Sequence, residues 1–464
     1  MNGPHRSRSG LSRRTFLRRS ASSVAFAAGG ATLAQLGASA HAASTDGYRA
    51  LVCILLAGGA DSFNMLVPTD AASYAGYAGV RTDLALPSAS LSPLSGTHQG
   101  GRPFAMHPGL SPLAPLFDSG EMAWVANVGS LVEPTSAEQL AAGTVREPLG
   151  LYSHADQIEQ WQTSVADARI SSGVGGRIAD LLGDVGGSSP ISMNLSTSGA
   201  NVFQSGARTQ EYSVEASSGG APMLAGREPG DDGAAILTPA VDELLAASRT
   251  ILLRRAYAKR FADSLRAGEV FRSALASAPM LTTGFGVDPF SRSMELIARI
   301  IAARGALGAT RQTFFVTYGG WDHHDEVINA QAAMLPPLAA GLAAFRDAMI
   351  ELGTHSDVTT FTISDFGRTL TSNGRGSDHG WGGNQLVLGG SVRGGRILGT
   401  FPVLAAGAPL DTGRGRFVPT TSVDAFYADL ALWFGLTPSE LPLVLPNLQR
   451  FHDPGAGPAV GLFG

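Results

Sequence analysis

Three apolar and β-branched runs constrain the fold most strongly, because an aspartate follows each of them within a few residues. The runs are Tyr48–Leu56, Gln312–Tyr318 and Val358–Ile363, and the aspartates are Asp61, Asp322 and Asp365. Such a composition is typical of buried strands. Segments with helical periodicity precede the second run and join it to the third, and this order of elements implies parallel strands. The sequence therefore predicts an α/β fold in which three carboxylates meet at the carboxyl edge of a mainly parallel sheet.

The N-terminal residues have the pattern of an export signal. Ser12–Leu17, which includes Arg13 and Arg14, resembles the twin-arginine (Tat) motif, and an Ala-rich stretch with a small-residue cleavage option at Ala40–Ala42 follows. A membrane anchor is the competing interpretation, but Gly, Gln and Ser leave this stretch weakly hydrophobic for a span. We expect a Tat signal peptide over residues 1–42 and transport by the Tat translocase. The protein would then be periplasmic or secreted, with no stable membrane span after cleavage.

Charge and cysteine usage exclude several classes of protein. Removal of residues 1–42 would take away six arginines and change the formal charge from −5 to 27 − 38 = −11. An acidic protein is not expected to bind nucleic acid or an anionic membrane surface. Cys53 is the only cysteine, so disulfides and cysteine-based metal sites are excluded. No shift in composition marks a linker, and we predict one domain over residues 43–464 with a loop-rich insertion near residues 205–236.

Five side chains at predicted strand ends and in the loops that follow them form a candidate metal site. They are Asp61, Asp322, His324, Asp365 and His379. Carboxylate and imidazole donors are what a divalent cation bound to a phosphate or sulfate ester requires, and the cation would be zinc, magnesium or calcium. An aspartate next to glycine at a strand end is equally typical of a turn or a helix cap. The prediction therefore depends on the joint occurrence of the five residues.

Two further residues are candidates for a catalytic role. Arg368 could clamp an oxyanion or pair with a nearby acid, because a guanidinium suits both roles. Ser153 begins a predicted helix, where the backbone amides favour negative charge, and could act as a nucleophile. Ser153 and Asp156 also have the spacing of a capping box, which is the simpler interpretation.

Seven separated motifs carry a family resemblance. They are the Tat signal, Gly58–Asp61, Ser153–His154, Gly320–His324, Ser364–Thr369, Gly376–Gly380 and Pro419–Val423. Together they resemble DUF1501, an exported bacterial family of unknown function that is similar in turn to the alkaline phosphatase and sulfatase superfamily. The resemblance implies an alkaline phosphatase-like three-layer sandwich, with a central, mainly parallel sheet flanked by helices. It also implies that the superfamily's metal positions fall on the five residues named above.

The chain departs from the superfamily pattern in two places. Phe366 stands where metal-dependent members have a histidine directly after the acid that corresponds to Asp365. One imidazole of a two-metal site is therefore missing, and a single-metal or metal-free site fits the sequence. The Cys-x-Pro-x-Arg signature of sulfatases is also absent, so the nucleophile is unassigned.

Two functions from different classes are consistent with these observations. The first is an exported metal-dependent hydrolase of phosphate or sulfate esters, acting on a small-molecule or glycan substrate. The second is a non-catalytic periplasmic binding or assembly protein that retains the phosphatase-like fold, since fold alone does not fix function. A metal at Asp61, Asp322 and Asp365 would favour the first, and a site filled by arginine or apolar side chains would favour the second.

Overall fold

A nine-stranded sheet organises the computed structural model, which describes residues 47–183, 191–216, 220, 233–247 and 251–464. The predicted signal peptide and part of the predicted insertion lie outside the described residues. The strands are β1 (Arg49–Ala57), β2 (Leu66–Pro68), β3 (Ser92–Pro93), β4 (Phe104–Met106), β5 (Met122–Gly129), β6 (Asn194–Ser196), β7 (Tyr212–Ser213), β8 (Arg311–Gly319), β9 (Val358–Ser364), β10 (Arg368–Ser372), β11 (Ser377–His379), β12 (Gly383–Leu388), β13 (Arg396–Gly399) and β14 (Thr421–Ser422).

Helices cover the sheet and connect its strands. The α-helices are α1 (Ala71–Arg81), α2 (Ala114–Asp118), α3 (Ala137–Ala141), α4 (His154–Thr163), α5 (Val174–Leu182), α6 (Ala234–Ala246), α7 (Leu252–Ser277), α8 (Pro289–Ala302), α9 (Val327–Glu351), α10 (Val423–Phe434) and α11 (Leu441–Val444). Short 3-10 helices span Thr82–Leu84, Ser88–Ser90, Pro108–Leu113, His355–Asp357, Leu448–Arg450 and Pro454–Ala456.

The main sheet has the order β13-β5-β12-β9-β1-β8-β6-β7, with β14 also paired to β5. Among these described strands, β12 is antiparallel to both of its neighbours, and the other pairings are parallel. Two small antiparallel sheets, β2-β4-β3 and β10-β11, lie outside it. The prediction of a mainly parallel sheet is confirmed.

The three runs identified in the sequence are the central strands. β1 lies between β8 and β9, and in the shared register Cys53 stands opposite both Phe315 and Phe361. Because the three strands are parallel and in register, their carboxyl ends reach the same edge of the sheet. This arrangement confirms the predicted placement of the strand ends that precede Asp61, Asp322 and Asp365.

Both faces of the central strands are covered. Val52 and Ile54 face a core that includes residues of α8 and α9. On the opposite face, the ring of Phe361 contacts Phe426 and Tyr427 of α10, with centroids 5.8 and 6.1 Å apart. Burial on both faces explains why the central strands are continuous apolar runs without polar alternation. The predicted three-layer α/β architecture is therefore confirmed.

Helix α9 is the crossover between β8 and β9. Among the described residues it is the helix long and apolar enough to span a membrane by length and composition. Its buried side chains, which include Leu335, Leu338, Leu342 and Phe345, belong to the core on one face of the sheet. The apolar composition of α9 is thus accounted for by packing in this fold.

Candidate metal centre

Tight turns after β8 and β9 bring two of the predicted acids together. The Trp321 amide donates to the carbonyl of Ala57 at 3.1 Å, which folds the segment after β8 against the end of β1. The Gly58 amide donates to Oδ1 of Asp365 at 2.9 Å. Gly58 has φ +120°, and a Cβ there would lie 2.4 Å from the Asp322 amide nitrogen, so this close approach requires glycine.

Three imidazole nitrogens and one carboxylate converge at this edge of the sheet. The Nε2 atom of His379 lies 3.1 Å from Nε2 of His154 and 2.9 Å from Nε2 of His324. Oδ1 of Asp322 lies 3.1 Å from Nε2 of His324 and 3.5 Å from Nε2 of His379, and Oδ2 lies 3.5 Å from Nε2 of His154. We call these four residues the His/Asp cluster.

The second nitrogen of each ring faces an oxygen outside the point of convergence. Nδ1 of His154 lies 2.6 Å from Oδ2 of Asp365, and Nδ1 of His324 lies 3.0 Å from Oδ1 of Asp378. Nδ1 of His379 lies 2.7 Å from the carbonyl oxygen of Tyr152. An ionised carboxylate or a carbonyl only accepts, so each Nδ1 carries the proton and donates it. The three Nε2 atoms are therefore directed toward one another, and in the neutral form of a ring with its proton on Nδ1 the Nε2 atom carries a lone pair.

Local electrostatics favour the cation-binding forms of two members of the cluster, His379 and Asp322. Burial lowers the pKa of His379. The hydrogen bond to the carbonyl of Tyr152 raises this pKa, and the positive charge of Arg368 lowers it further, so the net shift is downward. Burial alone would raise the pKa of Asp322, but the hydrogen bond and charge of Arg368 hold that pKa below its ordinary value. The cluster therefore presents an imidazole biased toward the neutral form beside an ionised carboxylate.

Asp365, predicted as a metal ligand, supports His154. It is buried, and its two oxygens accept from the Gly58 amide and from Nδ1 of His154. Asp378 has the same relation to His324, and its pKa is held well below the ordinary value: burial opposes ionisation, but hydrogen bonds from Asn373, His324 and Arg414 outweigh it. The structure thus places Asp365 next to the cluster, in contact with one of its imidazoles.

The structure does not bring Asp61 into the His/Asp cluster. Its Oδ2 atom forms an ion pair with Nη2 of Arg81 at 2.7 Å and accepts from the hydroxyl of Ser377 at 2.7 Å. Both members of the ion pair are fully buried. Helix α1 supplies Arg81, whose charge neutralises this predicted metal ligand, whereas Oδ1 of Asp61 is buried and has no hydrogen-bond partner among the described residues.

Arg368 takes the second of the two roles considered for it. Its guanidinium is fully buried, and Nη1 donates to Oδ1 of Asp322 and to the carbonyl of Gly58, both at 2.9 Å. Nε donates to the carbonyl of Ser377 at 3.0 Å. Arg368 therefore pairs with an acid and holds Asp322 at the cluster.

Ser153 is the N-cap residue of α4, but its side chain makes no capping hydrogen bond there. The expected capping box is not formed, and Nε of Arg169 donates to Oδ1 of Asp156 at 2.9 Å. A hydrogen bond from Arg169, followed by one from Ser153, lowers the pKa of Asp156. The catalytic role of Ser153 remains a prediction.

Sequence reasoning missed His154, the first residue of α4. The Ser153–His154 motif was the sequence signal for it. The ring of Phe366 lies against two imidazoles of the cluster, with centroids 4.8 Å from His154 and 4.6 Å from His379. Phe366 takes the place of the histidine expected after Asp365. The imidazole of His154 in α4, 211 residues away from Asp365 in the chain, lies at the same site.

The His/Asp cluster is open to solvent on one side. The side chains of Asp322 and His324 are 47% and 45% exposed, whereas those of His154 and His379 are 32% and 24% exposed. The ligand atoms of His154, Asp322 and His379 all lie within 4.8 Å of one another, which is a spacing that could hold one metal ion.

Comparison with solved structures finds weak similarities. Ps i-CgsB shares 10% identity at a TM-score of 0.33, over 88% of this chain and 78% of that one. The soluble domain of lipooligosaccharide phosphoethanolamine transferase A from Neisseria meningitidis shares 10% identity at 0.32, over 90% and 94% of the two chains. The PsFucS1 sulfatase from Pseudoalteromonas sp. shares 9% identity at 0.31, over 88% and 72%.

Comparison of the sequence with protein families is more specific. No curated protein matches the chain. The sequence model of the family described as "Protein of unknown function (DUF1501)" matches residues 246–441, a range that contains Asp322, His324, Asp365 and His379. The match confirms the predicted resemblance to DUF1501 over these residues.

Proposed function

We propose that the His/Asp cluster binds one divalent metal ion and that the protein is a metal-dependent hydrolase of phosphate or sulfate esters. The observation that supports the proposal is the convergence of three Nε2 lone pairs and one carboxylate. A tetrahedral zinc site with bonds of 2.0–2.1 Å separates its ligand atoms by about 3.3 Å. The distances that join His379 or Asp322 to the other members of the cluster range from 2.9 to 3.5 Å.

The donor set also favours one metal among the three considered. Magnesium and calcium prefer oxygen ligands, whereas three imidazoles and one carboxylate suit zinc. A histidine that binds a metal through one ring nitrogen usually donates a hydrogen bond from the other nitrogen to a carboxylate or a carbonyl. Here Asp365, Asp378 and Tyr152 supply the acceptor oxygens. His154, His324, His379 and Asp322 would hold the ion.

Zinc held by these residues would supply a Lewis acid that can activate water and neutralise charge on an ester oxygen. The chain's own residues would orient the ligands: Asp365 fixes His154, Asp378 fixes His324, and Arg368 keeps Asp322 in place. The exposed side of Asp322 and His324 would let a small-molecule or glycan ester approach. Ser153 is the candidate nucleophile, because it directly precedes His154.

One observation favours the non-catalytic alternative. Four protein donors complete a tetrahedral set, and such closed sets are typical of structural zinc, whereas catalytic zinc keeps a position for water. The protein would then be a periplasmic binding or assembly protein whose metal stabilises this edge of the sheet. Metal-dependent turnover of an ester separates the two functions.

The export route belongs to the same proposal. The Tat motif supports transport of the folded protein by the Tat translocase to the periplasm or the medium. Replacing Arg13 and Arg14 by lysine should leave the protein in the cytoplasm with residues 1–42 attached. Normal export of this double variant would refute the assignment.

The experiment that tests the function measures metal and turnover on the same preparations. The protein is purified without chelators, its metals are measured by mass spectrometry, and it is assayed against a panel of phosphate and sulfate esters. We expect about one zinc per chain, and His154→Ala should lose most of it together with any hydrolysis. His98→Ala is the matched control, because the His98 ring lies outside the cluster and bonds the Ser95 carbonyl. The proposed hydrolase function would be refuted if the wild-type protein contained no bound metal, or if the zinc-bound protein hydrolysed none of the esters.

A further inference from the structure

Helices α6 and α7 carry an apolar surface that the metal centre does not use. In α7, Ala267, Phe271, Ala274 and Leu275 join the core, but of the fifteen residues between Leu252 and Arg266 only Ala258 is buried. Fifteen helical residues extend about 22 Å. We call this half of α7, together with α6, the helical arm.

The helical arm exposes large apolar side chains. Leu252, Leu253 and Tyr257 are 67%, 80% and 73% exposed. Between the two helices runs a groove of about 510 Å³, lined by Val241, Leu244, Leu245, Leu253, Arg254, Tyr257, Ala258 and Phe261. Contiguous apolar surface of this kind on a soluble protein marks an interaction site.

The same half of α7 is strongly basic. Residues Leu252–Ala262 contain four cations and no acid: Arg254, Arg255, Lys259 and Arg260. Lys259 pairs with Asp263, but Arg254, Arg255 and Arg260 have no ion pair within 4.0 Å among the described residues. Helix α6 adds Asp242 and Glu243, so the two helices together carry 6 − 4 = +2 charges in a chain of net charge −5.

Local charge decides what this surface attracts. Charges separated by more than about 8 Å are largely screened at physiological ionic strength, so the acidic remainder of the chain does not cancel the basic arm. The expectation from net charge, that anionic membranes are excluded as partners, does not apply to this surface. Helices that lie in a membrane interface carry large apolar side chains on one face and arginine and lysine on the other. In α7, Leu253, Tyr257 and Phe261 recur every four residues and so share one side of the helix.

We propose that the helical arm docks the protein on the surface of an anionic phospholipid membrane. Leu252, Leu253 and Tyr257 enter the boundary between headgroups and acyl chains, while Arg254 and Arg255 contact lipid phosphates. The groove fits the same ligand, because it is apolar inside and has Arg254 in its lining. This inference is independent of the function proposed for the His/Asp cluster.

An environment-sensitive fluorophore at one position tests the docking directly. Leu253→Cys is labelled in the full chain; Cys53 is buried in β1 and does not react. Vesicles of phosphatidylglycerol and phosphatidylcholine should shift the emission to the blue, and vesicles of phosphatidylcholine alone should shift it far less. Val287→Cys is the matched control, because this residue is 82% exposed but lies outside the arm. Its emission should not change.

Charge reversal on the arm provides the second measurement. Arg254→Glu with Arg255→Glu should lower vesicle partitioning at least about thirtyfold, since each cation near an anionic surface contributes roughly a factor of five. Arg292→Glu with Arg393→Glu makes the same charge change at two exposed residues outside the arm and should have a much smaller effect. Equal shifts at positions 253 and 287, binding that ignores lipid charge, or a shift at 253 that appears with protein concentration and without vesicles would each overturn the proposal. The last result would indicate a second copy of the chain as the partner.

Discussion

Replacing Asp61 by alanine is expected to destabilise the protein while leaving zinc binding intact. The strand-end pattern presents Asp61 as a metal ligand, but the structure pairs its carboxylate with Arg81. The substitution therefore separates a structural ion pair from a ligand. His154→Ala should show the opposite behaviour, with zinc binding lost and the stability of the metal-free protein nearly unchanged.

The magnitude follows from the burial of the pair. Both side chains are 0% exposed and their charged atoms lie 2.7 Å apart. Removing one partner of a buried pair leaves an uncompensated charge and costs about 3–5 kcal/mol. Arg81 would keep its hydrogen bonds to Oδ1 of Asn64 and to the carbonyl of Thr369, which places the expected loss toward the lower end of that range.

The assay is urea unfolding of the chelated protein, so that metal makes no contribution, followed by calorimetric zinc titration of the folded protein. Asp347→Ala is a surface control, because the half-exposed pair with Arg346 should contribute less than about 1 kcal/mol. The double variant Asp61→Ala with Arg81→Met should be more stable than the sum of the two single changes predicts. Unchanged unfolding together with lost zinc binding in Asp61→Ala would identify Asp61 as a ligand and refute the reasoning.

Three further outcomes are expected. Asp378→Ala should lower zinc affinity about 10- to 100-fold. Asp378→Asn should lower it less, because an amide oxygen still accepts from His324. If calorimetric titration gave both variants the affinity of the wild-type protein, the supporting role of Asp378 would be contradicted. Zinc affinity should decrease when the pH is lowered past about 6, because protons then compete for the imidazole nitrogens. A zinc affinity that stays constant down to about pH 5 would exclude histidine ligands. Burial raises the pKa of Asp424 to about 7, so below pH 3.8 its carboxyl is neutral in folded and unfolded chains alike, and stability is lost as the pH rises through about 7. Asp424→Asn should therefore increase the free energy of unfolding by up to about 4 kcal/mol at pH 8 and by little at pH 4; the same gain at both values would show that ionisation is not the cause.

Sequence reasoning located the sheet and its functional edge because the relevant signals are local. A strand buried on both faces must be a continuous apolar run, and a helix between two such runs makes them parallel. Val358–Ser364, Arg311–Gly319 and Arg49–Ala57 satisfy these conditions, so the meeting of their carboxyl ends could be predicted without coordinates. The cap of α10 is local in the same way: Ser422 accepts from the Ala425 amide at 3.1 Å, as its position before an apolar periodic segment indicates.

The tertiary structure decided which of these side chains share a site. Whether a strand-end aspartate is free to bind a cation depends on the charge beside it, and Asp61 meets Arg81 from a helix whose position no local pattern fixes. The third imidazole comes from His154, which reaches Asp365 across 211 residues of chain, so no spacing rule could assign it. A buried strand can be predicted from consecutive residues, because each of its positions must be apolar by itself. The His/Asp cluster depends on long-range packing, which brings α4, the loop after β8 and the end of β11 to within 3.5 Å of one another.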